Sequence, residues 1–173
     1  MSAKATARSL ALKALVSYRK SGGMNNTPVF RLDDARDSAL ANNIYLGVLQ
    51  NMARLDFYIS SFSNTPAARM EPLLLDILRV GAYQICLMDR IPTRAAVFEA
   101  VEQAKTMVSK GAAGLVNAVL RRLGERKGNL PTPPRKREEE YLSVMYSHPV
   151  WLCREYMKAL DKSEVEAALN ANN

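Results

Sequence analysis

PLLLDILRVGAYQICLM, residues 72–88, is apolar almost all the way round a helical wheel. Leu73, Leu74, Leu75, Ile77, Leu78, Val80, Tyr83, Ile85, Cys86 and Leu87 leave no continuous polar face. A helix with no polar face has to be buried on every side, so this segment reads as the central helix of a core. Pro72 suits the first helical position, where its missing N–H costs nothing. Gly81 costs up to about 1 kcal/mol of helix propensity, which marks a place where another helix comes close. Cys86 belongs to the apolar stripe and behaves as a small buried hydrophobe. Asp76 and Arg79 interrupt the run, so it is no membrane span.

The segments on either side have helical spacing too. Residues 5–20 put Ala7, Leu10, Ala11, Ala14, Leu15 and Tyr18 on one face, and Gly22-Gly23 ends that helix. Asp33 or Asp34 caps a second helix to about Leu49, striped by Leu40, Ile44 and Val48. A third carries Leu55, Tyr58, Ile59 and Phe62 and stops at Asn64-Thr65-Pro66. After the loop Arg90-Ile91-Pro92, a fifth runs from Arg94 to Val108 with Val97, Phe98, Val101 and Ala104 inward. Ser109-Lys110-Gly111 breaks the chain before a sixth, residues 112–126, with Val116, Val119, Leu120 and Leu123 inward. No alternating strand pattern occurs. The expected fold is all-α: a compact bundle of about six helices over residues 1–126. Residues 127–137, with Pro131, Pro133, Pro134 and Arg135-Lys136-Arg137, form a basic, proline-rich linker. Residues 138–173 add further helices, one through Tyr146, one over 150–160 and one capped by Ser163. Nothing closes the chain after Asn170-Ala171-Asn172-Asn173, as expected of a piece of something longer.

Composition narrows the chemistry. The 173 residues are 48% hydrophobic and 24% charged, the profile of a globular chain and not a disordered one. There is one histidine, His148, and two cysteines, Cys86 and Cys153. That inventory excludes a multi-histidine metal site and a disulfide framework, and it fits a reducing, cytoplasmic setting. His148 precedes Pro149 and reads as part of a structural turn. Neither a dinucleotide fingerprint nor a phosphate-binding loop occurs. Glu99 and Glu102 are better placed for a surface ion-pair ladder with Lys105 than for acid–base chemistry. The residues make up no complete catalytic site, and no cofactor or metal is expected here. The acid-free N-terminus resembles a transit peptide only superficially, because helical spacing accounts for it.

The net charge of +7 is uneven. Residues 1–32 carry +6 and residues 105–137 carry +8, while the stretches between and after them are acidic. On the first helix Arg8 and Arg19 lie eleven residues apart on one flank, with Lys13 and Lys20 on the other. On the sixth, Arg121 points away from the apolar stripe and Arg122 lies at its edge. Such basic stripes suit the phosphate backbone of a nucleic acid, and arginine's fork suits phosphate oxygens. A solvated surface that keeps the chain soluble fits the same spacing.

Several stretches resemble one family in order along the chain: ARSLALKALV (7–16), IYLGVLQNMARLDFYI (44–59), LRVGAYQICLMDRIP (78–92), AVFEAVEQAK (96–105), GLVNAVLRRL (114–123), YSHPVWL (146–152) and ALNANN (168–173). Together they look like the NusB-like N-terminal domain of the RsmB (Sun/Fmu) ribosomal RNA small-subunit cytosine-C5 methyltransferases. The resemblance implies a NusB-like RNA-binding bundle, with residues 138–173 leading to a separate S-adenosylmethionine-dependent methyltransferase domain. In that family a cysteine nucleophile and a second, assisting cysteine methylate C5 of a cytosine; neither Cys86 nor Cys153 matches those motifs. The implied partners are ribosomal RNA and the family's catalytic domain, with no membrane and no metal. Arg8, Lys13, Arg19, Arg121 and Arg122 are the expected RNA-binding residues, with Asn117 either beside them or packing between helices. The alternative is a NusB-like antitermination or protein–protein adaptor, which would expose an apolar patch around Tyr146, Trp151 and Tyr156.

Overall fold

A computed structural model of the chain describes residues 6–23, 30 and 34–173. Among these residues all regular structure is helical. The first six helices are α1 (Ala7–Lys20), α2 (Ala35–Gln50), α3 (Met52–Phe62), α4 (Pro72–Leu87), α5 (Thr93–Met107) and α6 (Lys110–Glu125). Then come α7 (Glu138–Tyr146), α8 (Val150–Ala159) and α9 (Lys162–Ala171). A short 3-10 turn, Ala67–Arg69, leads into α4.

Local chemistry sets the ends. Thr6 caps α1 by accepting from the Ser9 N–H, and α1 ends where Gly22 and Gly23 take φ of +66° and +81°. Asp34 caps α2, its carboxylate accepting from the Arg36 N–H at 2.7 Å; Asp33 lies outside the described residues. Two helix starts differ from expectation. Ser109 is the N-cap of α6, accepting from the Ala112 N–H, so Gly111 falls inside the first turn. Ser163 sits within α9, whose start is a capping box made by Asp161 and Glu164. A carboxylate at N3 reaches back to the cap, and that reciprocal pair outcompetes a lone serine two residues on.

Helix α4 is central. It packs against α1, α2, α3, α5 and α6. Ile77, Leu78, Ala82 and Ile85 are wholly buried. Gly81 is the point of closest approach: a Cβ there would meet Leu120 Cδ1 of α6 at 2.4 Å. The helix nevertheless buries two polar side chains, Asp76 and Gln84, at 2% and 1% exposure. Asp76 accepts from Arg19 of α1 at 2.9 Å and from Arg79 at 3.2 Å. Arg79 also forks onto both oxygens of Asp56 in α3, each at 2.7 Å. Gln84 donates to the Val80 carbonyl and accepts from Arg8 Nε at 2.6 Å. Buried polar groups without such partners would cost several kcal/mol, so these bonds are conditions of the packing.

A second, smaller apolar cluster forms from α7–α9 around Tyr141, Leu142, Cys153, Val165 and Leu169. His148 Nε2 donates to the Leu169 carbonyl at 2.9 Å, fastening α9 to the α7–α8 turn. That turn holds Ser147 at φ +54°, and Ser147 Oγ accepts from the Arg54 N–H of α3. The proline-rich stretch is tied down on both sides. Lys127 donates to the Met88 carbonyl, Leu130 packs on the bundle core, and Arg135 stacks on the Tyr141 ring at 3.9 Å. Arg135 also pairs with Glu138 and Glu166, and Arg137 with Glu140.

Two stability outcomes follow from these contacts. Arg79→Ala leaves the buried Asp76 with one partner and should cost roughly 3 kcal/mol in urea unfolding; a loss under about 1 kcal/mol would mean the pair is dispensable. The Gln103 amide is buried with neither its nitrogen nor its oxygen bonded. Gln103→Met should therefore raise stability by about 1 kcal/mol, and a drop in the midpoint would contradict it.

Candidate nucleic-acid interface

The helices α5 and α6 form a tight hairpin turned at Val108-Ser109. Alanine makes the closeness possible on the inner side, where Ala96, Ala100 and Ala104 are buried. Glycine does so at the open end: a Cβ on Gly124 would meet Thr93 Cγ2 at 2.4 Å. The outer side of the hairpin is a groove of about 660 Å³, with Val97 and Val101 in its floor. Five larger side chains line it as well: Arg94 and Phe98 from α5, and Asn117, Arg121 and Glu125 from α6. Successive members on each helix are spaced i, i+4, which stacks them on one face.

Phe98 is the unexpected member. The helical stripe placed it inward with Val97; it is instead 64% exposed. The buried row of α5 is Ala96, Ala100 and Ala104, and Phe98 falls on the far side of the helix from it. Arg94 and Arg121 have no acidic partner among the described residues, Asn117 makes no side-chain hydrogen bond there, and no cation covers the Phe98 ring. The groove thus offers an open aromatic face, an unengaged amide and two unpaired guanidinium groups.

The five basic residues expected on sequence grounds do not form one surface. Arg121 rims the groove. Arg122 sits on the other side of α6 and reaches the Phe62 carbonyl at the end of α3, at 3.4 Å. Lys13 is exposed on α1. Arg8 and Arg19 turn towards α4, onto Gln84 and Asp76, and so serve the core. Helices α1 and α5–α6 both pack on α4, which separates the two basic blocks. Arg94, absent from that set, stands in an otherwise acidic stretch where block charge hid it.

Neither cysteine is activated. Burial pushes the Cys86 thiol up to about 11, so it stays protonated at neutral pH and is a poor nucleophile. Cys153 is fully buried in the second cluster, its thiol also raised by burial. Among the described residues no group of three His, Cys, Asp or Glu side chains is placed to hold a metal ion. None of the described helices is long and apolar enough to cross a membrane. Of the apolar patch expected around Tyr146, Trp151 and Tyr156, only Trp151 is exposed; the two tyrosines pack on the second cluster.

This architecture is that of the NusB bundles. T. maritima NusB superposes with a TM-score of 0.62 at 22% identity, over 72% of this chain and 95% of that one. The family model for NusB matches residues 5–125, and the chain belongs to the NusB family. Longer relatives match as well. A probable ribosomal RNA small subunit methyltransferase B of Bacillus subtilis is 33% identical over 90% of this chain and 36% of its own length. A ribosomal RNA small subunit methyltransferase B of Shigella flexneri is 30% identical over 96% of this chain and 38% of its own. A putative methyltransferase of Mycobacterium tuberculosis is 30% identical over the whole chain and 36% of its own length. The chain therefore spans little more than a third of these relatives.

The split between core and rim arginines is measurable. Arg8→Ala should destabilise the fold by about 1–3 kcal/mol, since it leaves the buried Gln84 oxygen unpaired. Arg94→Ala and Arg121→Ala should stay within about 0.5 kcal/mol of the parent. Thermal melts that rank them the other way would refute the division.

Proposed function

We propose that this chain is the RNA-holding module of an S-adenosylmethionine-dependent ribosomal RNA cytosine-C5 methyltransferase, itself non-catalytic and working in the cytoplasm. Residues 1–126 would hold ribosomal RNA. Residues 127–137 would link them to a helical connector, 138–173, that leads to the methyltransferase region possessed by the longer relatives. The single observation behind this reading is the α5–α6 groove, where Arg94 and Arg121 stand unpaired beside exposed Phe98. Family membership and the names of the relatives supply its direction. Arg121 contacts phosphate, while Lys13 and Arg122 add charge elsewhere on the bundle. Arg8 and Arg19 act by holding α1 against α4. Phosphate contacts set position without reading sequence, so the module alone has weak sequence preference.

A second reading rests on one feature. Trp151 is 63% exposed on α8, as a protein-docking adaptor would have it.

Titration against a fluorescent ribosomal RNA hairpin at two salt concentrations decides the first reading. Affinity should fall steeply with salt, with a log–log slope of about −0.7 to −0.9 per phosphate contacted. Arg121→Glu should weaken binding at least several-fold without altering the melt. Absence of binding at low salt would overturn the RNA-holding role and leave the adaptor.

A further inference from the structure

We infer that the α5–α6 groove takes an unpaired nucleotide, its base stacked on Phe98 and its phosphates at Arg94 and Arg121, so that the module prefers single-stranded or looped RNA to duplex. This rests on the RNA-holding reading and adds what part of the RNA is held. The groove of about 660 Å³ lies within the roughly 300–1,000 Å³ range of small-ligand sites, large enough for one nucleotide. Phe98 presents an open ring, and a base offers it a matching flat face.

Charge and hydrogen bonding choose among occupants. Two guanidinium groups without acidic partners stand at the rim, the arrangement that suits phosphates on both sides of a base. Asn117 carries a donor and an acceptor that no described residue engages, as the edge of a base requires. An apolar helix of a partner protein would leave both arginines and the amide buried and unpaired, an unfavourable outcome in a closed interface. Glu125 at the end of the groove limits how far the RNA backbone runs along it. Paired bases keep their faces stacked inside the helix, so only a loop, bulge or single strand presents one to Phe98.

The experiment compares a short single-stranded RNA with a duplex of equal phosphate number, both fluorescein-labelled, titrated with the full chain. The single strand should bind roughly tenfold more tightly. Phe98→Ala should remove most of that preference, weakening single-strand binding about tenfold or more. Its salt slope should be unchanged, because no phosphate contact is lost. Phe98→Trp should restore it. Arg121→Ala should lower the slope by about one. Ultraviolet cross-linking of the single strand should label the peptide that contains Phe98. Equal affinity for both RNAs, or Phe98→Ala binding like the parent, would overturn the stacked-base inference while the RNA-holding reading stood. Loss of all RNA binding by the parent chain would overturn both. Since Phe98 is exposed, its variants should melt with the parent, so a folding defect does not confuse the result.

Discussion

Everything in the bundle depends on how α4 is buried. Five helices close on it, and two of its side chains are polar. A carboxylate and an amide in that position are tolerable only if cations and donors come to them. Arg19 and Arg8 do so from α1, and Arg79 carries the charge onwards to Asp56 of α3. The arginines therefore act as ties between helices, and the direction in which α1 lies across α4 follows from them. Apolar contact alone would let α1 slide; a guanidinium on a fixed carboxylate sets its register.

Seen this way, the basic residues divide by what they face. On α1, Arg8 and Arg19 bond the buried Gln84 and Asp76, with Arg19 still 36% exposed, and Lys13 and Lys20 are exposed as well. Arg94 of α5 and Arg121 of α6 stand over a groove with no ion-pair partner among the described residues, and Glu125 lines the same groove. The acidic helices α7–α9 pair with Arg135 and Arg137 ahead of them and with Arg154 of α8. Residues 127–173 carry no net charge, so the whole +7 lies in residues 1–126.

The sequence was legible where one cause dominates. A run of apolar residues with no polar face leaves α4 no place but the centre, and Gly81 marked the helix contact that Leu120 fills. Helices fell near their expected limits because caps and prolines act locally. Less was legible where a residue's surroundings are non-local. The bonds of Arg8 to Gln84 and of Arg19 to Asp76 span more than fifty residues, so spacing alone did not show them. Phe98 looked buried because hydrophobicity outweighed position; the alanine row at 96, 100 and 104 was the available signal that the inner face needed small residues. Arg94 was obscured by averaging charge over a long block.

The α7–α9 cluster has few buried side chains and meets the bundle chiefly along α3, with Ser147 bonded to the start of that helix. So small a core closes only against something already rigid. Local opening should therefore begin in α7–α9, while the bundle around α4 persists.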